Sequence, residues 1–332
     1  LDIMTVDMAA EDHVRSKRNM GAMSTSDFWD VVNLGMHFQY MFNGLQMNNG
    51  DGTFTEVSQI AGVAKTDWSW APLFADFDND GHKDLFITNG YNREARDNDY
   101  GYELDRREFM GDSLTFEEGL ALMPTAKIFN YIFKNDGDIG FTKKVDEWNF
   151  DAPVNSNGAA FADLDNDGDL DVVVALIDNV WPYGYRISWF ENLGGNSFSI
   201  EQVITTNISY PSSLEIEDVD GDGLVDLLYA SSPSNEAAWF QNIGGGVFGV
   251  KKVFTDSNIG CIDIITVDVD NDGDKDVLVA AENDNTISLF ENYYKSKYQF
   301  KGRLFYDSNQ NGIDDTTELG FQNIQTEIQP NS

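Results

Sequence analysis

The chain has 332 residues, enough for one large β domain or two smaller ones. Its formal net charge is −36, with 57 acidic against 21 basic residues, which argues against nucleic acid or anionic lipid as a partner, since both require a basic face. No apolar run approaches the ~20 residues of a membrane span, and the single cysteine, Cys261, excludes an intrachain disulfide and reads as a small buried residue in its apolar stretch.

In chain order, Leu1 to Val6 read as the end of an acidic loop entering a strand, with Asp2 its last acid. The sequence is therefore expected to be cut from a longer protein. A long connection follows over 8–36. It carries a predicted helix from Asp27, with Phe28, Trp29, Val31, Val32 and Leu34 on its apolar side. The segment 41–54 pairs apolar residues with Asn-Asn-Gly and a following Phe54, a hairpin signal.

The first copy of a nine-residue pattern then appears: Asp76-Phe-Asp78-Asn-Asp80-Gly81-His82-Lys-Asp84. Carboxylates at positions 1, 3, 5 and 9 place four hard oxygen donors around one point. Gly at position 6 permits the sharp turn, and the position-7 carbonyl, here of His82, adds a ligand. That is a calcium loop; magnesium prefers a smaller octahedral shell with retained waters. The alternative is a merely solvated acidic turn, but the pattern recurs three times. The further copies place Asp163, Asp165, Asp167, Asp169 and Asp171 in the second loop, and Asp218, Asp220, Asp222, Leu224 and Asp226 in the third. The fourth holds Asp268, Asp270, Asp272, Asp274 and Asp276. These are not EF-hands: position 12 is Ile87, Val174, Tyr229 and Val279 rather than Glu, and apolar β-branched strands flank each loop. Each loop is read as the turn of a β-hairpin with a cation in it.

Between the first two loops the chain is interrupted over 91–127. This irregular-to-helical insertion mixes Arg93, Arg96, Arg106 and Arg107 with many acids. A second motif, apolar residues ending in Asn and a Gly-rich turn, recurs at 131–137, 187–195, 237–245 and 287–293. Trp189 and Trp239 lie 50 residues apart, as do Asp218 and Asp268. One unit is thus four strands in about 50 residues, the length of a β-propeller blade. The calcium loops fall on one face, and the strand 2–3 and 4–1 connections on the other.

The loop 178–186 carries Trp181, Tyr183, Tyr185 and Arg186, aromatic faces with a polar rim that suit a sugar ring or a protein hot spot. Trp68, Trp148 and Tyr210 fall in neighbouring 4–1 connections. The competing reading is that these aromatics pack between blades. At the end of the chain, Asp307, Asn309, Asn311, Ile313, Asp315 and Glu318 form a further loop, this one with a true Glu at position 12. Its alternative is a flexible acidic tail.

With these motifs the chain resembles FG-GAP/VCBS repeat proteins, whose blades carry such calcium loops, as integrin α-chain propellers do. Leu45–Phe54 followed by Asp67–Gly81 is similar to the bacterial branch associated with ASPIC/UnbV domains, and 301–318 resembles the opening of a prealbumin-like B module of surface adhesins. The resemblance implies an all-β chain: a β-propeller of four-stranded antiparallel blades over 1–294, with helical insertions. Its blades fall at about 1–60, 64–150, 151–205, 206–256 and 257–294, the last lacking its fourth strand. Fewer than five complete blades make an incomplete ring. Residues 295–332 would begin a truncated second β-sandwich domain.

The implied function is a calcium-binding extracellular or cell-surface propeller, mediating adhesion or binding of a glycan or protein partner, with no membrane insertion. Calcium would fill the four propeller loops and a fifth at 307–318. Two alternatives stand beside it, a polysaccharide-degrading lyase or hydrolase and an architectural spacer of a large surface protein. No catalytic residue stands out. Of the three histidines, His82 belongs to a calcium loop, and His13 and His37 lie in the N-terminal connection.

Overall fold

Eighteen short strands are arranged in five consecutive antiparallel sheets in the computed structural model, which describes residues 1–19, 25–36, 40–90, 93–126, 128–177 and 184–292. The first sheet is β1 (Ile3–Thr5), β2 (Gly44–Asn48) and β3 (Phe54–Glu56). The second is β4 (Ser69–Ala75), β5 (Asp84–Asn89), β6 (Tyr131–Asn135) and β7 (Phe141–Lys143). The third comprises β8 (Asn155–Ala162), β9 (Asp171–Ile177), β10 (Tyr185–Phe190) and β11 (Gln202–Thr205). The fourth comprises β12 (Pro211–Glu217), β13 (Asp226–Ser231), β14 (Glu236–Asn242) and β15 (Phe248–Thr255). The fifth is β16 (Cys261–Val267), β17 (Asp276–Ala281) and β18 (Thr286–Phe290). Every sheet is a meander in chain order, the blade arrangement expected from the repeat, and the ring is not closed.

Hydrophobic patterning explains how the sheets stack. On β9, Val173 faces a cluster shared with Leu227, Tyr229 and Phe240 of the fourth sheet, while Val172, Val174 and Leu176 face the second sheet's side. On β13, Leu227 and Tyr229 face back, and Leu228 and Ala230 face forward onto Cys261, Ile264 and Val279. A strand buried on both faces needs a continuous apolar run rather than alternation. That is what β5, β9, β13 and β17 show. Successive sheets meet chiefly through their first strands: β8 packs on β4, β12 on β8 and β16 on β12. Cys261 is fully buried and free, its Sγ 3.2 Å from the Asn258 carbonyl.

The insertions are helical, as expected for 91–127: α4 (Asn98–Phe109) and α5 (Phe116–Leu122) fill that stretch. Asp97 caps α4 by accepting from the Tyr100 N–H, and Thr115 with Glu118 forms a capping box on α5. The N-terminal connection holds α1 (His13–Asn19) and α2 (Thr25–Asn33), and a short α3 (Ser58–Ala61) follows the first sheet. α2 begins two residues before the expected Asp27, and on its apolar side Trp29 is 51% and Leu34 79% exposed. α1 is tied instead by charge. Arg15 pairs with Asp67 and Glu94, and Arg18 with Asp97 and Asp99.

Candidate metal centres and binding cleft

The four aspartate loops fold alike because each satisfies its own turn. In the first three loops the position-1 carboxylate accepts the N–H groups of positions 5 and 6, and in the fourth Asp268 accepts that of position 6 while Asp272 N–H turns to Asp270. Asp163, for example, takes Asp167 N at 3.1 Å and Gly168 N at 3.0 Å. Asn79, Asn166 and Asn271 at position 4 adopt a left-handed backbone, the third loop uses Gly221 there, and the position-6 glycines have φ between 90° and 99°. The position-5 carboxylate uses one oxygen to accept the N–H of position 7, at 2.9 Å for Asp80, Asp167 and Asp222 and 3.2 Å for Asp272. These bonds leave side-chain oxygens of positions 1, 3 and 9 converging. Ligand atoms of Asp76, Asp78 and Asp84 lie within 4.8 Å of one another, as do those of Asp163, Asp165 and Asp171. The same holds for Asp218, Asp220 and Asp226, and for Asp268, Asp270 and Asp276. Among the expected ligands, position 5 is thus partly engaged by its own turn, and Asp169 points outward to accept from Asn79 Nδ2 of the preceding loop at 2.5 Å.

Position 9 has a second role the sequence did not disclose. Asp84, Asp171, Asp226 and Asp276 are buried, and each accepts two backbone N–H groups. One comes from position 2 of its own loop (Phe77, Leu164, Val219, Val269). The other comes from an asparagine ending the blade's third strand (Asn135, Asn192, Asn242, Asn292), at 2.7–2.9 Å. Asp2 makes the same bond to Asn48 N–H at 2.8 Å, which places it as the position-9 acid of the first sheet. Three of these asparagines also reach the preceding blade. Asn192 Nδ2 donates to Phe77 O, Asn242 Nδ2 to Leu164 O and Asn292 Nδ2 to Val219 O, at 2.7–2.8 Å. The first three loops are therefore each latched to the next blade.

The electrostatics of the clusters fit a cation. Burial pushes the Asp84 carboxyl up to about 6 and those of Asp171 and Asp226 up to about 7, against backbone hydrogen bonds that favour the charged form. Asp165 and Asp220 are raised too, by burial and then by the next carboxylate in the loop, Asp167 and Asp222. Asp78 Oδ1, Asp268 Oδ1 and Asp272 Oδ2 are buried without a hydrogen-bond partner. Orphaned carboxylate oxygens beside two further carboxylates match a hard divalent ion with oxygen ligands. The fifth expected loop, Asp307 to Glu318, lies outside the described residues.

On the opposite ends of the strands a cleft of about 400 Å³ opens between the second, third and fourth sheets. Trp70, 47% exposed, is fixed by its Nε1–H donating to Gly90 O at 2.8 Å. Tyr185 and Tyr210 meet edge to face at 5.6 Å, and Leu120 and Met123 of the helical insertion close one side. Arg93 lines it while donating to Leu120 O at 2.5 Å, and the Asn157 Oδ1 atom is buried without a hydrogen-bond partner. A Cβ at Gly90 would stand 2.8 Å from that oxygen, so glycine is required there.

Of the expected ligand residues, Tyr185 lies in this cleft, whereas Arg186 forks onto Glu201, just before β11, with Nη2 3.2 Å from Oε2. Trp181 and Tyr183 lie outside the described residues. Trp148 is 2% exposed and packs on Phe198, a core residue, and Trp68 lies under the Arg96 guanidinium. Trp70, the second tryptophan of Asp67-Trp-Ser-Trp, lines the cleft, and nothing in that local sequence separates it from Trp68.

Consecutive antiparallel blades that each turn through an aspartate loop define an incomplete propeller of the repeated-blade type. The FG-GAP-like repeat family matches residues 30–87, 124–174 and 218–279, and the chain belongs to that family. No curated protein matches the chain. Among solved structures it is similar to one titled as the basis of specific recognition of non-reducing terminal N-acetylglucosamine by an Agrocybe aegerita lectin. That match has 16% identity and a TM-score of 0.43, and covers 74% of this chain and 59% of that one. It is also similar to the Photorhabdus luminescens Tc holotoxin pore at 17% identity and a TM-score of 0.30, covering 76% of this chain and 13% of the other. The chain thus spans under two thirds of either. Among the described residues no helix is long and apolar enough to cross a membrane.

Proposed function

We propose that this chain is a calcium-held extracellular or cell-surface propeller that binds a glycan in the cleft opposite its aspartate loops. The carrying observation is the four-fold recurrence of three converging carboxylates, each set latched by its position-9 acid. The metal residues of this reading are the aspartates of the four loops, with the carbonyls of His82, Asp169, Leu224 and Asp274. Millimolar extracellular calcium would fill even weak sites of this kind. The propeller is assigned to about 1–294, with the ASPIC/UnbV-like branch for its first half and a prealbumin-like module beginning near 295.

For the ligand, the support is chemical. An exposed indole face and two tyrosines beside amide and guanidinium groups suit a pyranose, whose C–H face stacks on aromatics while its hydroxyls bond the polar rim. The test is retention of the calcium-loaded chain on a polysaccharide panel, with product release recorded. Retention lost in Trp70→Ala and in Tyr185→Ala supports the reading. Released product, or retention unaffected by both changes, overturns it.

A further inference from the structure

The residue just before the latch asparagine differs among the blades in a way that bears on the metal loops. It is Lys134 in the second sheet, Glu191 in the third, Gln241 in the fourth and Glu291 in the fifth. The register is fixed by the bond that each following asparagine N–H makes to its position-9 acid. Lys134 Nζ contacts Asp78 and lies 2.6 Å from Asp80 Oδ2, bridging positions 3 and 5 of its loop. Gln241 Nε2 addresses the same position-5 oxygen, Asp222 Oδ2, at 3.4 Å. Glu191 carries a negative charge where the second blade carries an ammonium, and its Oε2 accepts from Gln202 Nε2 at 2.8 Å.

We infer that this position grades calcium affinity along the propeller, and that Lys134 is a built-in counter-cation that makes the Asp76–Asp84 loop the weakest calcium site. This rests on the proposed calcium reading of the four loops. An ammonium bridging two carboxylates must leave before a divalent ion can use both, and its charge opposes the ion while it remains nearby. A glutamate at the same position adds attraction for the ion and repulsion without it. The loops at Asp163 and Asp268, with a fifth aspartate at position 7 and a glutamate on the third strand, bind most tightly. The Asp218 loop, with Gln241, is intermediate. The second blade, which carries the long helical insertion, then keeps its loop closed without metal.

The test is a calcium titration of the whole chain by calorimetry, repeated for Lys134→Gln and Glu191→Lys, with melting of each in EGTA and in saturating calcium. The expected wild-type result is three tighter sites and one weaker. Lys134→Gln tightens the weak site on the order of tenfold or more, as expected for removing one charge a few ångströms from a divalent ion. It also lowers the melting temperature in EGTA and enlarges the gain on adding calcium. Glu191→Lys removes one tight site. Four equivalent sites in wild type, or a Lys134→Gln chain with unchanged affinity and an unchanged response to EGTA, overturns the grading while leaving the calcium reading intact. Absence of any calcium uptake overturns both.

Discussion

At the scale of single residues, the position-9 aspartates show how one side chain serves two ends. Asp171 presents a ligand atom to its cluster while both its oxygens accept backbone N–H groups, from Leu164 and Asn192. Replacing it by Asn turns an NH2 towards one of those donors and leaves a buried N–H unpaired, at a cost of about 1–3 kcal/mol. Asp171→Asn should therefore lower the melting temperature in EGTA as well as in calcium. A change seen only in calcium would reduce Asp171 to a ligand. The same burial sets a pH dependence. Asp84, Asp171 and Asp226 have folded-state values raised to about 6 or 7, so the metal-free fold binds more protons than the unfolded chain. Their contribution is greatest below the ordinary carboxylate value near 4 and falls as pH rises through about 7. Melting in EGTA should accordingly worsen over that window, and saturating calcium, which favours the charged carboxylates, should flatten the slope. A metal-free stability that rises from pH 4 to 7 contradicts this.

At the scale of elements, the asparagine latches join what the chain separates. Asn242 takes the Asp226 contact with its backbone, caps Gly244 N–H with its Oδ1 and reaches Leu164 O of the preceding blade. Asn242→Ala should destabilise by about 1–3 kcal/mol by leaving buried partners unmet. The loss should appear as faster hydrogen exchange at the Asp163–Asp171 turn as well as in its own blade; exchange confined to the fourth sheet would refute the latch. Turn glycines carry a similar constraint. A Cβ at Gly246, where φ is +66°, would stand 2.2 Å from the Trp189 ring, so Gly246→Ala should lower stability by displacing a buried tryptophan.

The local parts of this were legible beforehand. A nine-residue loop contains its own turn glycine and its own carboxylates, and the strand after it announces itself by a run of β-branched residues. The latches were not legible, because Asn192 meets Phe77 across 115 positions and nothing near either residue encodes the partner. Lys134 was hidden for the same reason, since it reaches its loop across 54–56 positions. The helix α2 was found from its apolar spacing, but spacing reports which side is apolar and not whether anything covers it. Trp148 and Trp70 show the same limit for aromatics: residue type does not tell them apart, and only the fold sends one into the core and the other into the cleft.

At the scale of the whole molecule, the second, third and fourth sheets stack through apolar faces, and the outer sheets are more exposed, most plainly the fifth. There Ile265, Ile287 and Leu289 of the fifth sheet remain 46%, 75% and 41% exposed, consistent with a ring that is not closed. Such a row gains little from closure, so the loops and their latches matter more for its cohesion. A protein of net charge −36 also repels itself, and four divalent ions would relieve part of that repulsion where it is densest. Ions bound only by the folded state stabilise it by about 2.7 kcal/mol per site at a hundredfold excess over Kd. The most direct measurement is therefore the melting temperature of the chain in millimolar calcium against the same chain in excess EGTA. A rise of roughly 10 °C or more with calcium, lost stepwise as Asp165 and Asp220 are changed to Ala, is what this account predicts. Identical melting curves in calcium and in EGTA would contradict it.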